Sequence, residues 1–271
     1  MPLLDKMIWH IETQLDAPLT LETLADRCAV NVHHMCRAFQ FSTGLSVMAY
    51  VRARRLSRAA HVLADGEADI LTMALEAGYG SHEAFTRAFR AYLGVLPSQV
   101  KEACDLSNLS LMEPLKMDNS RIIDVAKPEI RTREAFRVVG FGADVTGFDI
   151  SAIPGLWQRF AAQYQELGAD GVTYGVSYDI GEDGDFRYIA GLEWPDVPDG
   201  MVTVDLPAAR YAVFTHDGHI GDLPKMIYTI WNKALPGSGL EPATTPEFEL
   251  YDHRFNAVTG LGVVEHWVPL V

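Results

Sequence analysis

The sequence predicts a multidomain chain in which an all-α N-terminal domain precedes an α+β C-terminal domain. The second domain carries a duplicated β-α-β-β pattern and an antiparallel sheet. Three observations carry this. Apolar residues recur at three- and four-residue steps through the first hundred residues, and at two-residue steps beyond residue 130. The helical half contains a self-similarity at about fifty residues. Charge is also uneven: residues 1–104 hold ten Lys/Arg against eleven Asp/Glu, and residues 105–271 hold twelve against twenty-five. Such asymmetry points to two modules with different partners, and the net charge of −14 describes neither.

Composition sets further bounds. An apolar content of 48% over 271 residues supports a sizeable core and excludes wholesale disorder. No run approaches the roughly 20 apolar residues of a spanning helix, and Asp5-Lys6 puts charge where a secretory signal needs apolar residues. Cys28, Cys36 and Cys104 are too few for a disulfide framework. The expectation is a soluble cytoplasmic protein with no membrane partner and no cofactor.

Element by element, Leu21, Leu24, Ala25 and Cys28 share one helical face, and Thr20 with Thr23 reads as a capped start. A longer helix runs from about Ala49 to Ala64 and stops at Asp65-Gly66. It carries Arg52, Arg54, Arg55 and Arg58, which cannot all share one face. Residues 107–128, with Pro114 and Pro128, read as a linker between domains at 1–106 and 129–271. Strands are expected at 137–141, 172–178, 186–194, 210–215, 247–251 and 261–268, with helices at 153–167 and 220–235.

The repeat gives the first domain its meaning. Arg37-Ala38-Phe39 returns as Arg87-Ala88-Phe89, and Leu24-Ala25 with Cys28-Ala29 returns as Met73-Ala74 with Ala77-Gly78. In each copy a small residue lets two helices approach, a turn follows, and a second helix begins whose core face holds Phe39, or Phe85 and Phe89. This is a tandem helix-turn-helix, an arrangement in which the second helix of each unit enters the major groove of double-stranded DNA. Cys28, Cys36, His33 and His34 fit no zinc spacing, so no metal site is expected.

The run Ile70 to Arg90, with Gly78-Tyr79, Phe85-Thr86-Arg87-Ala88-Phe89 and the close Gly94-Val95-Leu96-Pro97-Ser98, resembles the AraC/XylS-type transcription regulators. The resemblance implies two units reading successive major-groove segments of promoter DNA. His33, Cys36 and Arg37 of the first unit, and His82, Glu83, Thr86 and Arg87 of the second, are the implied DNA contacts. Arginine reads guanine bidentately and glutamate accepts from cytosine. Arg37 has two readings, a base reader or a buried ion-pair partner. Ala29 stands where the family usually has a turn glycine, and Cys36 replaces its usual polar residue. A net charge of −1 over residues 1–104 predicts weak non-specific DNA binding.

The acidic half resembles the gyrase-inhibitor-like effector-binding domain through Tyr174 to Asp179, Ala209 to Phe214, Pro246 to Tyr251 and His266 to Leu270. What this implies is a pocket for a small amphipathic or cationic effector, with its carboxylate carried by Glu249. Trp157, Tyr174, Tyr178, Trp194, Tyr228, Trp231 and Trp267 are the aromatic candidates. On a strand, Glu249 faces away from Phe248 and Leu250; it is either an inward carboxylate awaiting a cation or a solvated one sharing its face with Glu247. The function implied is a ligand-responsive activator, with RNA polymerase as a further implied partner. Two alternatives stand beside it. One is a small-molecule hydrolase using a carboxylate with His216, His219, His253 or His266, although no Ser-His-Asp order, P-loop or zinc spacing is present. The other is a sequestering module that the DNA-binding half addresses.

Overall fold

In a computed structural model of the chain, described for residues 1–66, 68–116, 119–146, 150–166, 171–181 and 185–271, two compact units form. The first comprises Leu3–Ala29 and Ser46–Met117, and the second Val30–Leu45 and Asp118–Val271. Residues 30–45, within the expected domain at 1–106, cluster with the second unit.

The first unit holds α1 (Leu3–Glu12), α2 (Leu21–Cys28), α4 (Val47–Ala64), α5 (Ile70–Glu76), α6 (His82–Leu93) and α7 (Pro97–Ala103); α3 (Val32–Thr43) belongs to the second. Side-chain caps start the helices: Thr20 accepts from the amide of Thr23, Asn31 from His34, Ser46 from Ala49, Asp69 from Thr72 and Ser81 from Ala84. The second repeat packs as its sequence implies. Met73 and Ala74 of α5, with Ala77 just after it, meet Phe85, Phe89 and Leu93 of α6 in one core with Leu56, Ala60 and Leu63 of α4. Ala74, fully buried, supplies the small side chain at that contact.

The arginine row of α4 divides by role. Arg54 pairs with Glu12 at 2.9 Å, and Glu12 also accepts from the Tyr50 hydroxyl at 2.6 Å. Arg55 donates to the carbonyls of Leu15 and Ala17, and Arg58 makes an exposed pair with Asp16.

The two turns differ by one glycine. Gly78 takes φ +84°, as a turn glycine can, but Ala29 closes α2 in the left-handed region at φ 58°, ψ 46°. That conformation costs a Cβ-bearing residue roughly 1–2 kcal/mol, against about 0.4–1 kcal/mol of extra unfolded-state entropy for glycine. Ala29→Gly is expected to raise stability by up to about 1 kcal/mol, read as a higher urea midpoint at unchanged slope.

The linker is not free chain. Leu106, Leu109 and Leu111 pack on the first unit's core. After a 3₁₀ turn at Asn119–Arg121, Arg121 stacks on Tyr228 at 4.5 Å and Ile123 N–H donates to the Thr229 hydroxyl.

The second unit's sheet has eight strands: β1 (Glu129–Arg133), β2 (Phe136–Val145), β3 (Thr173–Tyr178), β4 (Phe186–Leu192), β5 (Val202–Leu206), β6 (Ala209–His219), β7 (Glu247–Asn256) and β8 (Leu261–Leu270). The six expected strands are present. The pattern is nonetheless corrected from β-α-β-β to β-β-α-β-β in each half, because β1 and β5 were not expected. The antiparallel order β1-β6-β8-β7-β3-β4-β2-β5 reads the same from either end when strand n is exchanged with strand n+4. Each half thus lends its first strand to the other half's edge, and β3 and β7 meet at the centre. That symmetry supports duplication.

Between strands run α8 (Ile153–Glu166), α9 (Leu223–Thr229), a π turn at Ile230–Ala234 and α10 (Leu235–Ser238). One sheet face carries a core of Val138, Tyr174, Val176, Ile189, Tyr211, Val213, Phe248 and Trp267. The other packs Val139, Phe141, Phe186, Tyr188 and Ala190 against Phe160 of α8.

Candidate ligand-binding site and DNA-reading helices

Register decides which side chains share a face. Glu249 on β7 stands opposite Gly175 on β3 and His266 on β8, whereas Phe248 stands opposite Val176 and Trp267. Strand alternation then places Glu247, Glu249 and Tyr251 with Gly175, Ser177, Tyr188 and His266. Both faces are covered here. Phe248 is 1% exposed, yet Glu247 is only 4% and Glu249 9% exposed, so the solvated reading of Glu249 does not describe this site.

A hydrogen-bond relay holds Glu249. Trp157 Nε1 donates to the Tyr188 hydroxyl at 3.0 Å, and that hydroxyl donates to Glu249 Oε2 at 3.0 Å. The Trp157 and Tyr251 rings meet edge to face at 4.9 Å. Gly175 makes room, since a Cβ there would strike both the Tyr188 hydroxyl and the Glu249 carboxylate. Burial pushes the Glu249 carboxyl up to about 8; the Glu247 charge adds to the rise, while the Tyr188 hydrogen bond and Arg37 oppose it.

Glu247 goes the other way. Burial alone would raise it, but the Arg37 guanidinium, with a smaller contribution from His266, holds it below the usual carboxylate value. Arg37 Nε donates to Glu247 Oε1 at 3.1 Å, and Nη2 donates to the same oxygen. His266 lies fully buried on this face; burial, with Arg37, lowers its pKa despite the nearby Glu247 charge.

The expected aromatic set divides. Trp157 joins the Glu249 relay, and Trp194 packs on the α8 side of the sheet. Tyr174 and Trp267 belong to the core on the opposite face, and Tyr178 packs against it. Each lies an odd number of residues along its strand from Gly175 or His266, the register partners of Glu249, so alternation turns it to the opposite face. Tyr228 is buried in α9 beneath Arg121. Trp231, on the π turn, contacts His33, His34 and Phe41 of α3. Sequence reasoning missed Tyr188 and Tyr251, named His266 only as a partner in the hydrolase alternative, and took Glu247 only as a sign of solvation. Counting by twos from Glu249 would have found Glu247 and Tyr251; Tyr188 and His266 need the strand register.

The two expected reading helices also differ. On α6, His82, Glu83 and Arg87 are exposed and Thr86 is half-buried. On α3, His33 is half-buried, while Cys36 and Arg37 are buried at 5% and 1% exposure. Of the two readings of Arg37, this arrangement realises the ion pair, and its guanidinium and the Cys36 thiol are closed to a duplex here.

Residues 126–271 match the GyrI-like small molecule binding domain, and residues 24–103 match a helix-turn-helix domain. The chain belongs to the GyrI-like family. It is 39% identical over 133 residues to the transcriptional regulator BrlR of Pseudomonas aeruginosa, spanning 45% of this chain and 47% of that one. It is 26% identical over 274 residues to the right origin-binding protein of Escherichia coli strain K12, spanning 94% and 92%. The multiple antibiotic resistance protein MarA of the same strain is 31% identical over 110 residues, 41% of this chain and 87% of MarA. Among solved structures, SAV2435 bound to tetraphenylphosphonium shares 16% identity at a TM-score of 0.46, covering 54% of this chain and 94% of that one. The chain is thus an AraC-type DNA-binding transcription regulator joined to a GyrI-like small-molecule-binding domain. Among the described residues no helix is long and apolar enough to cross a membrane, and no group of three or more His, Cys, Asp or Glu is placed to hold a metal.

Proposed function

We propose that this regulator senses a lipophilic cation at Glu249 and Glu247 and answers by changing how it engages promoter DNA in the cytoplasm. The carrying observation is the buried carboxyl of Glu249, raised to about 8 among Tyr188, Tyr251 and Trp157. A carboxyl kept neutral by burial ionises when a cation arrives, because the ion pair then offsets the desolvation cost. Flanking rings add cation–π attraction of roughly 0.5–2 kcal/mol each. On the DNA side, α6 reads bases through His82, Glu83, Thr86 and Arg87, with RNA polymerase contact and activation following from that engagement.

The site favours binding over turnover. Near neutral pH Glu249 holds its proton and is a poor general base, and burial raises the Tyr188 hydroxyl well above its ordinary value, making it a poor acid.

Tetraphenylphosphonium and its anionic isostere tetraphenylborate test the reading by tryptophan fluorescence of the full chain. Saturable quenching by the cation alone is expected, weakened at least about tenfold in Glu249→Gln, equivalent to about 1.4 kcal/mol. Equal binding of the two isosteres, or no saturable quenching by the cation, would overturn it.

A further inference from the structure

The repeat supplies its own control. Glu83, Thr86 and Arg87 of α6 align with His33, Cys36 and Arg37 of α3, fifty residues earlier. The first set is exposed or half-buried and the second half-buried or buried. In α3 the guanidinium of Arg37 lies 4.3 Å from the Phe41 ring centre and 5.2 Å from that of Phe186, with Glu247 at its end. The rest of the helix is secured to the same unit. His34 Nε2 donates to the Trp231 carbonyl at 2.8 Å, Phe41 stacks on Trp231 at 6.5 Å, Asn232 donates to the Ser42 hydroxyl, and Asn31 donates to Glu241. A cation flanked by aromatic rings thus already sits on the carboxylate beside Glu249, and this chain provides it.

We propose that Arg37 is a built-in stand-in for the effector: α3 and a lipophilic cation compete for the Glu247 and Glu249 carboxylates, so effector binding frees the first reading helix for DNA. This rests on the cation-sensing reading above and adds its regulation. Energetically the exchange is close to balance. A buried ion pair gains little net free energy over its desolvated parts, and on release the guanidinium recovers its hydration while the incoming cation gives up its own. A small differential affinity then moves the population, and the closed fraction lowers the effector's apparent affinity in proportion. By linkage, DNA that captures α3 raises affinity for the cation by the same factor.

Amide hydrogen exchange of the full-length chain reads the release directly. Tetraphenylphosphonium is expected to accelerate exchange across residues 32–43 by about tenfold or more while leaving 82–93 unchanged, since only the docked helix changes its opening equilibrium. Glu247→Gln should accelerate the same segment without ligand. Arg37→Met should bind the cation about tenfold more tightly, its internal competitor being gone; Glu247→Gln keeps the question decidable if that variant does not fold. Saturable cation binding with residues 32–43 still fully protected, in wild type and Glu247→Gln alike, overturns the competition and leaves the sensing reading standing. No saturable binding to wild type or Arg37→Met overturns both.

Discussion

Glu249→Gln is expected to make the protein more stable than wild type by several kcal/mol above pH 8, and by progressively less as the pH falls towards 4.5. The carboxyl ordinarily titrates near 4.5 and in the folded chain near 8, with burial as the leading cause. A folded-state pKa raised in this way leaves its contribution intact below 4.5, where both states hold the proton. Stability is then lost as the pH rises, at about 1.4 kcal/mol per unit, until the folded-state group ionises near 8. Glutamine keeps the shape and still accepts from Tyr188, but it has no proton to lose. Urea unfolding of both proteins at half-unit steps from pH 4.5 to 9 measures the difference, and parallel curves would refute the assignment. Glu247 titrates in the opposite sense, since Arg37 holds its pKa down, but both proteins keep that pair, so the difference curve isolates Glu249. The same proton bears on ligand binding. At neutral pH a cation that pairs with Glu249 must expel a proton, so calorimetric binding enthalpies should vary with the ionisation enthalpy of the buffer.

What could be read in the sequence was local. The second helix-turn-helix was legible because Ala74, Phe85 and Phe89 recur at helical spacing and Ser81 caps the reading helix. Glu249 was legible as a strand carboxylate, but its environment was not. Tyr188 reaches it from β4, across β3, through a register that no local pattern specifies. Arg37 and Glu247 are separated by 210 positions, so their pairing left no local trace beyond the two open readings of that arginine. Strands β1 and β5 were missed for a related reason. Glu129-Ile130-Arg131-Thr132-Arg133 is charged and largely exposed, as edge strands often are, and each of the two pairs with a strand of the opposite half.

Gly140→Ala is expected to cost 4 kcal/mol or more, on the order of the largest single-site losses, although it adds only one methyl group. Gly140 and Gly191 face each other across β2 and β4. A Cβ on Gly140 would overlap the carbonyl of Ala190, and one on Gly191 would overlap that of Val139. The obstacles are backbone atoms of paired strands, so relief requires the ladder itself to part. β2 also pairs with β5, so the strain reaches the sheet edge. Gly142→Ala, two residues along the same strand, is the internal control: its Cβ would crowd Cγ2 of Val202, a side chain on the edge strand, and meet the Tyr188 carbonyl only at an ordinary contact distance of 3.7 Å. That variant should lose no more than about 1 kcal/mol, as for glycine positions whose neighbours can yield. Paired denaturation curves decide the matter, and comparable losses at positions 140 and 142 would remove close strand approach as the cause. The contrast bears on the ligand site because β4 carries both Gly191 and Tyr188. If Gly140→Ala displaces β4 against β2, the Tyr188 hydroxyl moves away from Glu249, and cation quenching should weaken even under conditions where the variant remains folded.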